Sequence, residues 1–201
     1  MELIKSKTYH NLAKAFAGEC MARARYEYLE YGARQQGFKA LAAEIDKLAY
    51  NEFNHGRMFY SFIQSATGKT IDNIDIASGY PFREKWDLVE NLRLSAQDEE
   101  DEGTRIYPAY ARTARDEGFD DIAGLFDNVS KVEQKHARIL KDLYHQFSTD
   151  SQYSKRKAVT WECPACGYQA EGKEAWETCP LCQEKQGSVR LIIEAKDCVP
   201  V

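Results

Sequence analysis

The sequence predicts a mainly α-helical protein: a four-helix bundle made of two helical hairpins joined by a long crossover, followed by a small β-rich domain. Three observations support this fold class. Apolar residues recur at helical spacing through four long segments. Two of those segments contain the motif Glu-x-x-His, at 52–55 and at 133–136. The chain then ends in a short region with two Cys-Pro-x-Cys motifs, at 163–166 and 179–182.

The first hairpin is predicted to contain helices over about residues 9–37 and 38–66. Gly37 and Gly68 follow these helices, and glycine is typical of a helix C-terminus. Residues 67–83 are rich in Gly, Ser, Asp, Asn and Pro. This segment is therefore predicted to be the long crossover.

The second hairpin is predicted to contain helices over about residues 86–117 and 119–147. Pro108 lies inside the first of them, where a residue without an N–H should kink the helix or leave a carbonyl without its donor. The dipeptide Gly-Phe separates the helices of both hairpins, and Glu-x-x-His follows it at the same distance in each. This weak internal repeat, with short links inside each half and one long link between them, is typical of a ferritin-like bundle.

The C-terminal region differs in composition from the bundle. Residues 148–157 are polar and basic and are predicted to be a linker. Residues 158–201 form a short Cys-rich region with a β-type run at 189–193. The predicted domains are therefore a bundle over 1–147 and a small metal-bound β-rich domain over 158–201.

The composition limits the function classes. The chain has 201 residues, a net charge of −5 and a pI near 5.5, which argue against non-specific binding to nucleic acid. It contains no long apolar run, and its first ten residues have no apolar core, so we expect neither a membrane span nor a signal peptide. The default expectation is a cytoplasmic protein.

The Glu-x-x-His motifs indicate a metal site with carboxylate and imidazole ligands. Residues three apart share one face of a helix, so each motif presents both side chains to the same place. Buried carboxylates are costly unless they are paired or bind a metal, and this ligand pattern in a four-helix bundle is typical of two irons, with manganese as an alternative. The candidate ligands are Glu19, Glu52, His55, Glu99, Glu102, Glu133 and His136.

Other residues near these motifs admit more than one interpretation. Glu100 and Asp101 are expected to belong to a solvated helix face. Tyr26 and Tyr107 can donate a hydrogen bond to a ligating carboxylate, or they can simply pack in the core. Cys20 is expected to pack as a small buried hydrophobe beside Glu19.

Four of the six cysteines form the candidate S₄ site. In a reducing compartment, paired Cys-x-x-C motifs indicate metal ligands rather than disulfides. Tetrahedral S₄ holds iron or zinc; proline in both pairs and Gly167-Tyr168 after the first pair favour iron, whereas zinc would make the domain purely structural. Cys198 is expected to be a free thiol. The candidate ligands are Cys163, Cys166, Cys179 and Cys182.

Together these motifs resemble the rubrerythrin family over essentially the whole chain. The resemblance rests on 16–19 with Arg23 and Tyr26, 51–55, 99–102 leading to Tyr107-Pro108, 132–136, 163–168 and 179–182. Two departures stand out: the family often has Ala-Gly where this chain has Gln97-Asp98, and the tail after Cys182 is longer.

The resemblance implies a non-haem di-iron (Fe–O–Fe) hydrogen peroxide reductase with a rubredoxin-like C-terminal domain. That domain would hold one Fe(Cys)₄ centre, which receives electrons from rubredoxin or an NAD(P)H-dependent reductase, giving NADH peroxidase activity in oxidative-stress defence. The resemblance also implies a homodimer, and it implies that His55 and Glu102 compete for one iron. The residues expected to take part in catalysis are Glu102, His55, Tyr26 and Tyr107.

The expected reaction is reduction of hydrogen peroxide to water by two electrons held at the di-iron site. Because a linker of about ten residues does not fix the distance between the two centres, electrons are expected to pass between subunits of a head-to-tail or domain-swapped dimer. Two alternatives stay open: an iron-oxidising storage protein of ferritin type, and a structural module with zinc in the four cysteines.

Overall fold

The computed structural model describes residues 1–77 and 87–193, and it confirms the mainly α-helical class. A 3-10 turn, Leu3–Lys5, precedes the first helix. The helices are α1 Lys7–Gln35, α2 Lys39–Ser65, α3 Leu88–Asp101, α4 Tyr107–Asp116 and α5 Asp120–Ser148.

Two antiparallel hairpins form the bundle: α1 packs on α2, and α3 with α4 packs on α5. Both hairpin turns have the same geometry. Gly37 and Gly118 have φ values of +85° and +84°, a conformation that glycine adopts without strain. The residue after each glycine donates its N–H five residues back, Phe38 to the Ala33 carbonyl and Phe119 to the Ala114 carbonyl. The repeat in the sequence is therefore a repeat of structure.

Two apolar clusters lie at opposite ends of the bundle. One contains Leu29, Leu41 and Leu140, near the α1–α2 turn. The other contains Leu12, Phe59 and Phe126. On α1, α2 and α5, the candidate metal ligands fall between the residues of these clusters, so the bundle encloses its charged centre between two layers of hydrocarbon.

The predicted helix over 86–117 is interrupted by a π turn, Glu102–Ile106, so its two parts are α3 and α4. Tyr107 donates its N–H to the Glu102 carbonyl, five residues back. In this register the Gly103 carbonyl would need the N–H of Pro108, which does not exist. Ser130 Oγ and Gln134 Nε2 of α5 donate to that carbonyl instead, each at 2.8 Å. The predicted irregularity near Pro108 is present, and α5 compensates for the missing donor.

The C-terminal unit contains one antiparallel hairpin, β1 Ser154–Glu162 and β2 Gln169–Glu174. Strand β1 begins inside the segment predicted as a linker. The β-type run predicted at 189–193 is wrong, because no strand is assigned there. Instead Val189 packs against Trp161, and Leu191 joins the bundle core, so burial rather than strand pairing explains the apolar run.

The expectation for Cys20 is also wrong. Cys20 is exposed on α1, because it follows the inward-facing Glu19 by one residue and so points to a different side of the helix. The crossover has no helix or strand over 67–77; its remainder, the expected helix start at Trp86, and Cys198 lie outside the described residues. None of the helices in the described part of the chain is long and apolar enough to cross a membrane.

Candidate metal centre

Six of the predicted ligands converge in the middle of the bundle, and all six are buried. They form two groups of four, each with its ligand atoms within 4.8 Å of one another. Glu52 and Glu133 belong to both groups. The first group is Glu19, Glu52, His55 and Glu133, and the second is Glu52, Glu99, Glu133 and His136.

The two shared carboxylates each divide their oxygens between the histidines. Glu52 places Oε2 3.1 Å from His55 Nδ1 and Oε1 3.0 Å from His136 Nδ1. Glu133 places Oε1 and Oε2 2.9 Å from the same two nitrogens. Two metals at this centre would each be held by one histidine, and Glu52 and Glu133 would be ligands available to both.

Each metal position also has one glutamate of its own. Glu19 Oε2 is 3.6 Å from His55 Nδ1, and Glu99 Oε2 is 3.6 Å from His136 Nδ1. The tyrosines hold these two carboxylates across the bundle: Tyr107 Oη donates to Glu19 Oε1, and Tyr26 Oη donates to Glu99 Oε1. Each tyrosine thus contacts the glutamate of the opposite hairpin rather than that of its own hairpin.

Glu102 is the one predicted carboxylate ligand that lies in neither group. It is only 7 % exposed, yet it lines a cavity of about 320 Å³ between α1 and the π turn, together with Lys14, Asp98 and Arg105. His55, in contrast, points its Nδ1 into the first group. The structure therefore shows one arrangement of this pair, with His55 inside the centre and Glu102 beside it.

The charges at the centre strongly perturb its titration. Burial raises the pKa of Glu19 to about 8, and burial with the charges of Glu19 and Glu99 raises the pKa of Glu133 to about 7. Burial alone would lower the pKa values of His55 and His136. Contacts with the surrounding carboxylates instead raise both well above their usual range.

The donor set fits two bound irons. Glu19 Oε2, Glu52 Oε1, Glu99 Oε2 and both Glu133 oxygens are buried and accept no hydrogen bond from the residues that the structure describes. They lie close to the histidine nitrogens without accepting a hydrogen bond from them, and buried carboxylate oxygens that accept no hydrogen bond are costly. They converge on two points at which a cation would satisfy them, and oxygen with imidazole is a ligand set that suits iron.

The four cysteines of the C-terminal unit also converge. Cys163 Sγ is 3.7 Å from Cys182 Sγ, and Cys166 Sγ is 3.7 Å from Cys179 Sγ. A tetrahedron with metal–sulfur bonds of about 2.3 Å has edges of about 3.8 Å. Burial opposes ionisation of Cys179, but the N–H groups of Cys182 and Leu181 lower its pKa to about 7, which favours the thiolate needed by a metal.

Several residues around the centre were not predicted. Asn51 Nδ2 lies 3.1 Å from His136 Nε2 and so orients the ring from outside. Arg25 forms an ion pair with Asp98, next to Glu99. The position of Asn51 directly before Glu52 is a signal that sequence reasoning can use. The Arg25 contact joins residues 73 apart and has no local signal.

Comparison with known proteins gives matches over most of the chain. The family model described as rubrerythrin matches residues 10–144 and 90–166, and the one described as rubrerythrin, rubredoxin-like domain matches residues 161–188. A rubrerythrin from Porphyromonas gingivalis is 34% identical over 181 residues, which cover 90% of this chain and 88% of the relative.

Solved structures match both parts of the fold. The structure titled fully reduced state of nigerythrin (all ferrous) has a TM-score of 0.60 at 26% identity, covering 96% of this chain and 94% of that one. A bacterioferritin from Desulfovibrio desulfuricans has a TM-score of 0.59 at 20% identity, covering 71% of this chain and 81% of that one, and this likeness concerns the fold alone. The predicted ferritin-like bundle and rubredoxin-like C-terminal unit are thus confirmed, as are candidate di-iron and Cys₄ sites.

Proposed function

Because the chain belongs to the rubrerythrin family, we propose that it is a peroxidase that reduces hydrogen peroxide to water. Family membership and the two candidate iron sites are consistent with an oxidoreductase, and with an iron protein that acts in oxidative stress. The single observation that best supports a two-electron reaction is the pair of shared carboxylates. Glu52 and Glu133 each span both histidines, so two metals at this centre would lie side by side.

In this proposal the bound irons supply Lewis acidity and the two electrons that cleave the peroxide bond. The chain supplies the environment. Tyr26 and Tyr107 fix the carboxylates of Glu99 and Glu19 by hydrogen bonds, so these ligands keep their orientation when the charge of the centre changes. The two apolar clusters limit access of water from both ends of the bundle. The metal ligands are Glu19, Glu52, His55, Glu99, Glu102, Glu133 and His136, with Cys163, Cys166, Cys179 and Cys182 at the second centre.

Glu102 and His55 are proposed to exchange at one iron. The buried position of Glu102 beside the centre, facing a cavity large enough for its side chain to move, supports this proposal. The π turn that carries Glu102 adds to that support, since π turns occur often at functional sites. An exchange of this kind would let the chain offer a carboxylate to the oxidised iron and an imidazole to the reduced one.

Electrons are proposed to enter through the Fe(Cys)₄ centre from rubredoxin or an NAD(P)H-dependent reductase. In the structure the C-terminal unit contacts its own bundle: Lys39 pairs with Glu184 at 2.8 Å, and Gln146 donates to the Ile192 carbonyl at 2.8 Å. These contacts support electron transfer within one chain as an alternative to the predicted electron transfer between the subunits of a homodimer. A cytoplasmic location and the domain limits 1–147 and 158–201 complete the proposal.

Rapid mixing tests the proposed reaction. The purified protein is reduced without oxygen and mixed with hydrogen peroxide or with oxygen, while the visible colour of ferric thiolate is followed. Fast return of colour with peroxide and slow return with oxygen is the expected result. Fast return with oxygen alone would instead indicate an oxidase, and absence of colour in every state would indicate zinc or an empty S₄ site.

A further inference from the structure

An ion pair between a buried arginine and a partly buried aspartate lies directly beside the candidate di-iron centre. The Arg25 guanidinium of α1 donates through Nη1 to Asp98 Oδ2 of α3. Arg25 is 4 % exposed, and the Asp98 side chain is 23 % exposed. The pair connects the two hairpins, so it does more than link neighbours on one helix.

Both members of the pair adjoin the same metal ligand. Asp98 directly precedes Glu99 in α3. Arg25 directly precedes Tyr26, whose hydroxyl donates to Glu99, and its guanidinium carbon lies 5.2 Å from the centre of the Tyr26 ring. The charge of Arg25 thus lies close to the tyrosine that holds the Glu99 carboxylate. The ion pair therefore acts on the second metal position, formed by Glu99 and His136.

Among the residues that the structure describes, the corresponding places beside the first metal position hold no equivalent pair. Glu19 and Tyr26 are seven residues apart, whereas Glu99 and Tyr107 are eight apart, and the π turn accounts for the additional residue. Under this correspondence Gly18 takes the place of Asp98, and Ile106 takes the place of Arg25. Neither residue carries a charge. The two halves of the bundle thus supply similar ligands but different electrostatic surroundings.

We propose that Asp98 is a positioning residue that lowers the reduction potential of the iron held by Glu99 and His136, because it partly neutralises Arg25. Arginine stays protonated at all relevant pH values. A cation beside an iron favours the ferrous state, and a carboxylate paired with that cation offsets the effect. This inference rests on the proposed di-iron centre, and it concerns how that centre distinguishes its two irons.

Asp98 is the member of the pair that lies on α3, directly before the ligand Glu99. The guanidinium donates to Asp98 Oδ2, so the carboxylate offsets its charge at short range. A chain with Gly at this position would keep the guanidinium and lose the carboxylate that offsets it.

The test measures the two one-electron potentials of the iron-loaded protein in Asp98→Asn, in Arg25→Gln and in the double variant. Anaerobic redox titration, followed by the electron paramagnetic resonance of the mixed-valent state, resolves the two steps. Asp98→Asn should raise one potential and Arg25→Gln should lower the same one. The expected change is about tenfold in the equilibrium constant of that step, from a partly screened charge, or 59 mV for one electron. The double variant should lie close to the parent protein.

Matched controls come from the ion pair of Glu90 and Arg93, which lies on α3 but is much more exposed. Glu90→Gln and Arg93→Gln should leave both potentials unchanged, because solvent screens their charges. Arg25→Lys keeps the cation, so its potentials should lie close to those of the parent protein and not show most of the shift seen in Arg25→Gln. If Arg25→Gln does not fold, the direction of the potential shift in Asp98→Asn alone tests the proposal.

The outcomes separate this inference from the proposed function. A normal mixed-valent signal with potentials unchanged in Asp98→Asn would overturn the inference and leave the di-iron centre intact. Equal shifts of both steps would also overturn it, since the effect would then be general rather than specific to one iron. Absence of any mixed-valent signal in the parent protein would contradict the di-iron centre itself, and the inference with it.

Discussion

The hydroxyl groups of Tyr26 and Tyr107 are the contacts that link the ligand carboxylates to the opposite hairpin. Replacement of either tyrosine by phenylalanine should weaken iron binding at one position by about 10–100-fold, the usual effect of losing a hydrogen bond to a metal ligand. Tyr26→Phe should weaken iron binding at the metal position that contains Glu99. Tyr107→Phe should weaken iron binding at the metal position that contains Glu19. Competition with a chelator measures the affinity of each iron.

Tyr28→Phe is the control for this pair, because Tyr28 is on the same helix as Tyr26 but is 59 % exposed. It should bind both irons as the parent protein does. Equal iron affinity in Tyr26→Phe and Tyr28→Phe would show that the hydroxyl contact has no role in holding the metal.

Glu102 is predicted to be needed for turnover but not for the S₄ centre. Glu102→Ala should abolish oxidation by peroxide, because the carboxylate that we propose for the oxidised iron is then missing, while the visible colour of the Fe(Cys)₄ centre stays. Stopped-flow absorbance after mixing with peroxide measures both properties in one experiment. Retained turnover in this variant would contradict the role assigned to Glu102.

The π turn depends on close packing against α5 at Gly103. A Cβ at this position would lie 2.8 Å from the Gln134 backbone nitrogen and 2.9 Å from the Ser130 carbonyl oxygen, so the helices would have to separate. Gly103→Ala should lower the free energy of unfolding by about 1–3 kcal/mol, the usual cost of overpacking. Urea unfolding of the iron-loaded protein measures this change.

Gly124 of α5 provides the opposite case, because a Cβ there meets no atom within 4 Å. Gly124→Ala should raise the free energy of unfolding by about 0.4–1 kcal/mol, since alanine restricts the unfolded chain. If both alanine variants were equally stable, the close approach of the π turn to α5 would not be a constraint on the fold.

Local patterns in the sequence account for most of the helical architecture. Apolar periodicity predicts the helices, and the Gly-Phe repeat predicts both hairpin turns, because these signals lie within a few residues of each other. Contacts between distant segments leave no such signal. The crossing of Tyr26 to Glu99, the compensation of Pro108 by α5, and the packing of Leu191 on the bundle all join residues that are far apart in the chain.

The candidate site shows the same division. Glu-x-x-His spacing places a carboxylate and an imidazole together on one helix, so the sequence can predict which residues meet. It does not predict that Glu102 stands outside the two groups of ligands, because that depends on the bounds of the π turn. The exposed position of Cys20 follows from the orientation of α1, because a step of one residue turns a side chain by about 100° around the helix axis.

The centre couples the stability of the metal-free protein to pH. The pKa values of Glu19 and Glu133 are raised in the folded state from 4.5 to about 8 and about 7. The folded protein therefore holds protons that the unfolded chain releases, and stability should fall as the pH rises from about 4.5 to 8. The raised pKa values of His55 and His136 act in the same direction above their usual value of 6.5.

Iron should reverse this dependence, because metal binding requires deprotonated ligands and strengthens as the pH rises. Thermal unfolding of the metal-free and iron-loaded proteins between pH 5 and pH 8 measures the difference. Metal-free protein that gained stability across this range would contradict the buried, protonated carboxylates assigned to the centre.

Mössbauer spectroscopy of the protein loaded with ⁵⁷Fe is the most direct test of the central claim, that Glu52 and Glu133 bridge two irons beside a separate S₄ iron. We predict an oxidised protein with two iron environments in a ratio of two to one, an antiferromagnetically coupled pair and a single high-spin ferric thiolate. Glu133→Ala should remove the coupled pair and leave the thiolate iron. A bundle that held only isolated, uncoupled iron, or none, would contradict the account.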